Sequence, residues 1–444
     1  MFYIGIVILV DYYLRATLPI KEIIGSSIGS IRYSDILILI LLFQHRHREK
    51  RELQNDAVAN RQFIILITIL MILFFISSLR ANTLSLGLAD FRNIMLKPFL
   101  SMLLVRNGFK DKNQIEQFIL YTVILGLIFT IGSIEMKYFD RLFIKGTHYD
   151  SSLMWGALRR SGRVGGFFGN PNNMGNICVL LVPIHFIGIQ LFADIKRKLF
   201  VIFSLLGIVF AMVLTESRGS YMGAGISIIC YLALPVGKLT VKNKVKIVFC
   251  FFAIFMALMP GAIQKISDRL AETDSQQEIV INPSQEEAID GESLDSRLAL
   301  WKDGITIGKT KPIFGIGLGE DTFRSVSAMM REMGLVQIEL DHAHSSYINL
   351  FVQTGFISLL AFLGINILVI KTNISAIYKN REQKDSVVIA GCNASIVGFL
   401  FCLITQNTLF KIDASTVYWV FLSLSIALSS KMQNESSKRE FYDK

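Results

Sequence analysis

The chain has 444 residues, of which 52% are hydrophobic, and a mean hydropathy of +0.49. Its charges lie between long apolar runs, which excludes an ordinary soluble domain and is typical of a protein that crosses a membrane several times. The net charge of +10 comes from basic connections between these runs. It therefore indicates how the chain is oriented across the membrane and gives no indication of nucleic-acid binding.

About twelve apolar runs are long enough, or nearly so, to form a helix across a membrane. We therefore predict an all-α polytopic membrane protein with about twelve transmembrane helices and a large extracytoplasmic loop. In chain order the predicted spans are residues 3–18, 31–44, 62–79, 92–105, 117–134, 173–193, 198–214, 219–236, 246–263, 347–370, 387–406 and 413–430.

These spans divide the chain into four regions. Residues 1–263 hold the first nine transmembrane helices with short loops, and residues 264–345 form the large extracytoplasmic loop. Residues 346–430 hold the last three helices, and 431–444 form a tail. Within the large loop the acidic, polar start predicts a mobile excursion, and order is expected to return at Leu294.

Lysine and arginine collect in alternate connections, and basic loops face the cytoplasm. This pattern predicts cytoplasmic N- and C-termini and places 135–172, 215–220 and 264–345 on the extracytoplasmic side. The basic connections are 45–51, 106–112, 194–198, 238–246, 371–384 and the C-terminal tail.

The connection RSGRVGGFFGNPNNMGN at 160–176 leads directly into a predicted span. Asn170 is a good N-cap and Pro171 a good first helical residue, so a helix is expected to begin here with free backbone N–H groups. Such a helix start attracts anions, and Arg163 lies just upstream. A well-capped loop whose arginine is solvated among lipid headgroups explains the same residues equally well.

Two more arginines lie on the same predicted side. The link TESRGS joins two spans almost without a loop, which holds Arg218 at the membrane boundary, where it either snorkels to lipid phosphate or meets an anion. Arg297 lies at the edge of a predicted apolar stripe on a helix, a position that also suits an ordinary boundary arginine. The stripe consists of Leu294, Leu298, Trp301 and Ile305.

His344 lies at the outer end of a predicted span. A neutral imidazole accepts a proton from a sugar hydroxyl at neutral pH, and the spans carry no suitable pair of carboxylates, so His344 is the best candidate for a general base. His342 and His344 are expected on different faces of a helix, and no third ligand accompanies them, so we predict no metal site. A lone histidine at an interface is, however, more often structural.

Together, three arginines and one histidine on one face indicate a specific chemistry. Arginine forks stabilise the charge that develops on a diphosphate leaving group, and the histidine would deprotonate the attacking hydroxyl. The sequence also contains GIGLG at 315–319, which lacks the spacing of a nucleotide-binding loop and predicts a turn against the membrane surface.

Several motifs between residues 160 and 370 resemble the O-antigen ligase and polymerase superfamily. They are, in order, RVGGFFGNPNNMGN, TESRG, SRLALWKDGI followed by KPIFGIGLG, and HAHSSYINLFVQTG. The most specific is His344 followed by ten residues and Gly355, which resembles the His-x10-Gly pattern of the ligases.

This resemblance implies a helical bundle similar to C-type glycosyltransferases in the bacterial cytoplasmic (inner) membrane. It implies a metal-independent, inverting glycosyl transfer without a cofactor, from a glycan on undecaprenyl diphosphate, on the extracytoplasmic face. Arg218 and Arg297 match the arginines that hold the diphosphate, Arg163 matches a recurrent arginine, and His344 matches the base.

The acceptor and even the class of protein stay open at this stage. A ligase transfers the polymer to lipid A-core, a polymerase transfers it to a lipid-linked repeat, and a third group modifies secreted proteins. A transporter or flippase of lipid-linked saccharides would bind the same diphosphate, and a structural membrane protein is a further alternative. The scarcity of charge inside the spans favours an enzyme over a transporter.

Overall fold

The computed structural model describes residues 58–106, 112–139, 163–168, 170–236, 242–246, 248–249, 253 and 294–442. The predicted spans at 3–18 and 31–44, most of that at 246–263, and the acidic segment at 264–292 lie outside these ranges.

All regular secondary structure in the described ranges is helical, which confirms the predicted all-α class. In chain order the α-helices are α1 (Val58–Leu79), α2 (Leu84–Phe91), α3 (Lys97–Arg106), α4 (Lys112–Tyr138), α5 (Pro171–Leu191), α6 (Ile195–Thr215), α7 (Arg218–Ala233), α8 (Leu294–Thr310), α9 (Glu320–Glu332), α10 (Ser346–Thr354), α11 (Phe356–Lys379), α12 (Lys384–Thr405) and α13 (Ile412–Tyr442).

Seven of these helices are long and apolar enough to cross a membrane, namely α1, α4, α5, α6, α11, α12 and α13. The protein is therefore a multi-pass membrane protein, while the total of about twelve spans stays a prediction. The predicted span at 92–105 corresponds to a π-helical turn at Arg92–Leu96 and α3, which continue from α2 without a break. The predicted span at 219–236 corresponds to the shorter helix α7.

The centre of the bundle is α5. The apolar window of α5 is 89% buried, against 39% for α1 at the periphery. Helix α5 packs against α4, α6, α7, α12 and α13, so it is enclosed on all sides by protein. Its N-terminal residues are thereby fixed at the middle of one end of the bundle.

The two ends of the bundle carry different connections. Arg197 and Lys384 approach the Glu116 carboxylate to 3.7 and 3.8 Å, which brings the starts of α4, α6 and α12 together. These starts follow the basic connections at 106–112, 194–198 and 371–384. We call the opposite end the polar end; it is where α5, α7, α10 and α13 begin. The charge pattern thus grouped these connections correctly, and their cytoplasmic orientation stays a prediction.

The predicted span at 347–370 is interrupted. It consists of α10 and α11, which meet at Gly355 with φ +88°. The Phe356 N–H donates to the Pro312 carbonyl at 2.8 Å and not to a carbonyl of α10. A Cβ atom at position 355 would overlap the Ile313 carbonyl oxygen. The glycine of the His-x10-Gly pattern is therefore the point where the chain breaks to admit a second backbone segment.

That second segment, residues 312–319, contains GIGLG and forms a strap between two helix ends. The predicted turn against the membrane surface stays a prediction. The Ile316 N–H donates to the Val352 carbonyl at 2.9 Å, and the Leu318 N–H donates to the Ser77 carbonyl at 3.1 Å. The strap therefore joins the end of α1 to the end of α10. At Gly317, φ is +124° and a Cβ would lie 2.6 Å from the Arg80 carbonyl oxygen, so only glycine fits this close approach.

Residues 294–345, the end of the predicted large loop, contain α8 and α9 and have a hydrophobic core of their own. The predicted apolar stripe lies on helix α8, but it does not form the packed face, because the Leu298 and Ile305 side chains are 49% and 39% exposed. The face that packs against α10 contains Gly304 and Gly308, whose missing side chains leave room for neighbours that include Ala343, Ile348 and Phe351. Helical spacing places Arg297 on this same face, seven residues before the first glycine.

Replacing Gly355 with alanine is expected to destabilise the protein by about 2 kcal/mol or more, because positive φ and the carbonyl overlap both penalise a Cβ atom. The measurement is the melting temperature of the full chain in detergent, by tryptophan fluorescence. The matched control is Gly364→Ala in α11, where the nearest atom to a new Cβ is Leu66 Cδ1 at 4.0 Å. Equal melting temperatures for both variants would show that the break at Gly355 does not depend on glycine.

Candidate functional site

The start of α5 is capped as the sequence predicted. Asn170 is the N-cap, and its side-chain oxygen accepts the N–H groups of Asn172 at 2.8 Å and Asn173 at 3.2 Å. Pro171 is the first helical residue. The helix therefore begins at the polar end with a fixed direction and a positive partial charge.

Arg163 joins this helix start to the end of α6. Its Nε donates to the Thr215 carbonyl at 3.0 Å, and one terminal nitrogen donates to the Asn172 side-chain oxygen at 3.0 Å. The neighbouring Val164 N–H also donates to the Leu214 carbonyl at 3.0 Å. Part of the guanidinium is thus committed to holding the polar end together.

Arg218 is the first residue of α7 and is half-buried. Helix α6 ends at Thr215, so the predicted near-absence of a loop is confirmed. The Ser217 hydroxyl donates to Asn172 at 2.9 Å, and the Ser220 hydroxyl donates to the Asn176 side-chain oxygen at 3.0 Å. The start of α7, with Arg218, therefore lies against the start of α5 and its attached Arg163.

Gln406 links this cluster to the segment that carries His344. Its side-chain nitrogen donates to the Ser217 hydroxyl at 3.1 Å. Its backbone carbonyl accepts the Ser346 N–H at 3.0 Å and the Ser346 hydroxyl at 2.7 Å. Ser346 is two residues after His344, so a short run of hydrogen bonds joins the predicted arginine and histidine positions. No motif in the sequence indicates Gln406.

The prediction that His342 and His344 lie on different faces of a helix is wrong, because α10 begins only at Ser346. The two rings are in edge-to-face contact, with centroids 4.2 Å apart. The His344 N–H donates to His342 Nδ1 at 3.3 Å, and His344 has φ +48°. The histidines therefore form a pair in a tight, non-helical turn.

The surroundings keep His344 neutral. Burial lowers the pKa of His344 to about 3, with further lowering from His342, Arg297 and Lys411 and opposition from Asp341. At neutral pH the imidazole is therefore in the form that accepts a proton. Arg297 on α8 lies close enough to His344 for its charge to contribute to this lowering of the pKa.

Lys411 adds a cation that no motif in the sequence indicates. It lies five residues after Gln406, directly before α13, and its Nζ is 2.8 Å from a Glu320 carboxylate oxygen. Asp90 lies close to this pair, and its pKa is raised to about 6, first by burial and then by the charge of Glu320. Both signs of charge thus occur near the histidine turn.

The polar end combines helix starts with basic side chains. The starts of α5 and α13 meet where Asn173 donates to Asp413 at 3.4 Å, and the Leu409 N–H donates to the Ser346 hydroxyl at 3.2 Å near the start of α10. Each start adds positive potential, which favours a bound anion beside the arginines. In the part of the chain that the structure describes, no three His, Cys, Asp or Glu side chains are grouped as a metal site requires.

The fold and this site define a multi-pass helical membrane protein with an anion-attracting, histidine-containing surface at one end of its bundle. Residues 200–363 match the family of O-antigen ligases. The match includes Arg218, Arg297, His344 and Gly355, while Arg163 lies before it, and it confirms the resemblance to the O-antigen ligase and polymerase superfamily. No curated protein shows a significant match to the chain. The matched region supports a membrane enzyme of the O-antigen ligase type.

Proposed function

We propose that this protein transfers a glycan from undecaprenyl diphosphate to an acceptor hydroxyl on the extracytoplasmic face of the bacterial inner membrane. It acts as an O-antigen ligase or as an O-antigen or exopolysaccharide polymerase. The observation that carries the proposal is the polar end, where hydrogen bonds join the start of α7, with Arg218, to the segment that holds a neutral His344 beside Arg297. This arrangement suits an anionic leaving group and a hydroxyl nucleophile.

The diphosphate would be held by Arg218 and Arg297. In the transfer, the bond between the sugar C1 and the diphosphate oxygen breaks, and undecaprenyl diphosphate leaves with the bonding electrons. The guanidinium groups stabilise the charge that develops on the leaving oxygen, without a metal ion. Attack from the opposite side of the sugar ring inverts the configuration at C1.

His344 would take the proton of the acceptor hydroxyl as the new bond to C1 forms. In the free protein the Arg297 and Lys411 charges help to lower the pKa of His344. A bound diphosphate brings negative charge to the same place, which opposes this lowering and makes the imidazole a stronger base. The base therefore gains strength when the donor is present.

Arg163 would assist less directly. Its bonds to Thr215 and Asn172 hold the end of α6 against the start of α5, close to Arg218. These bonds support a role for Arg163 in positioning the helix ends that form the diphosphate site.

The alternative is a transporter or flippase of lipid-linked saccharides. Such a protein needs charged or polar groups along a path through the membrane. The described helices of the bundle bury few charged side chains. Examples are Lys97, the first residue of α3, and Glu135 near the end of α4. The cations of the candidate site, Arg163, Arg218 and Lys411, instead lie at the polar end, which favours a surface-facing enzyme.

The surface glycan of a strain deleted for the gene tests this proposal and separates its forms. Finished polymer left on undecaprenyl diphosphate indicates a ligase, and a single repeat on the normal acceptor indicates a polymerase. Lipid-linked repeats trapped on the cytoplasmic face indicate a flippase. An unchanged glycan pattern, with the deletion confirmed, contradicts all three.

A further inference from the structure

His344 has an unusual backbone. Among the described residues that are not glycine, only His344 and Glu216 have positive φ, at +48° and +50°. This left-handed conformation is uncommon for a residue that carries a Cβ atom, and it persists only where the surroundings stabilise it. The surroundings of His344 therefore contain groups that hold this turn in place.

His342 is the group in direct contact with that turn. Its Nδ1 accepts the His344 N–H at 3.3 Å, and the two rings meet edge to face. An Nδ1 that accepts a hydrogen bond places the ring proton of neutral His342 on Nε2. That Nε2 faces an Asp341 carboxylate oxygen at 3.8 Å, which favours the same tautomer.

We propose that His342, oriented by Asp341, is a positioning residue that holds the backbone turn and the ring of His344 in the geometry needed to deprotonate the acceptor. This inference rests on the proposed role of His344 as the base. It assigns to His342 a function separate from metal binding and from contact with the substrate. The hydrogen bond fixes the backbone, and the ring contact limits rotation of the His344 side chain.

The charged groups around His344 give this proposal a pH signature. They are His342 and Asp341 in its own turn, Arg297 on α8 and Lys411 before α13. As the pH falls, His342 and His344 compete for a proton, so removal of His342 lets His344 protonate at higher pH. Removal of the Asp341 charge has the opposite effect, because that charge favours the imidazolium.

The test is steady-state transfer by the purified full chain in detergent. The donor is the undecaprenyl-diphosphate-linked glycan extracted from a strain deleted for the gene, and total glycolipid from that strain is the acceptor. His342→Ala is expected to lower kcat by about ten- to hundredfold with little change in the KM for the donor, as a displaced base would. His342→Asn, whose side-chain oxygen can replace Nδ1 as acceptor, is expected to restore most of kcat.

The pH profile separates positioning from a general loss of fold. The acid limb of kcat is expected to move to higher pH in His342→Asn and to lower pH in Asp341→Asn. Unchanged kcat in His342→Ala overturns the proposal. A loss of kcat without a shift of the acid limb in either His342→Asn or Asp341→Asn also overturns it. His344→Asn in the same assay tests the base itself, so failure of the proposed function would appear there and not in the His342 variants.

Discussion

His344→Ala is expected to lower glycan transfer by about two to four orders of magnitude, the range of a general base in catalysis. The neutral imidazole is the proton acceptor of the polar end, since burial keeps its pKa near 3 in the free protein. Helices α10 and α12 remain packed in the variant, because the hydrogen bonds from Ser346 to Gln406 do not involve the histidine ring. Membrane insertion is therefore expected to be normal.

The experiment needs a second variant, because alanine at φ +48° strains the turn. Asparagine tolerates the left-handed region, so His344→Asn removes the base and keeps the backbone. Both variants are expected to leave lipid-linked glycan untransferred in a complemented deletion strain, at wild-type protein levels. Wild-type transfer by His344→Asn would remove His344 from the role of base.

Arg218→Ala and Arg297→Ala are each expected to lower kcat/KM by about a hundredfold or more, as loss of a donor to a developing oxyanion does. Arg218 is the first residue of α7, next to the hydrogen bond between Ser217 and Asn172. The charge of Arg297 helps to lower the pKa of His344. Lysine at either position keeps the charge but loses the fork, so partial activity is expected.

The matched control is Arg331→Ala on α9. This arginine forms an ion pair with Glu339 at 3.8 Å, in the same segment 294–345 as Arg297. Its replacement is expected to leave transfer nearly unchanged, because exposed ion pairs contribute little. If Arg331→Ala lowers activity as much as Arg297→Ala, the effect is a general loss of positive charge and not a diphosphate site.

Features with local causes could be predicted from the sequence. The cap at Asn170 and Pro171 depends only on the chemistry of a helix start, and the short link before Arg218 follows from two adjacent apolar runs. The grouping of the basic connections follows from an alternating charge pattern. These features were sufficient to place Arg163 and Arg218 at one end of the bundle.

Features that depend on contacts between distant segments could not be predicted. The break at Gly355 exists because the strap at 312–319 docks there. Helix α8 packs through Leu300, Gly304 and Ile307 and not through the predicted stripe. Small residues that permit close approach leave no hydrophobic signal. The contact between His342 and His344 likewise depends on the late start of α10, which helical periodicity alone does not reveal.

The most direct measurement of the central claim uses the purified full chain in proteoliposomes that contain undecaprenyl-diphosphate-linked glycan and acceptor glycolipid. Released undecaprenyl diphosphate and transferred glycan are quantified together, with the metal chelator EDTA present. We expect equal amounts of both products from the wild-type protein and neither from His344→Asn or Arg297→Ala. Movement of intact lipid-linked glycan across the bilayer without release of undecaprenyl diphosphate would contradict an enzyme and indicate a flippase.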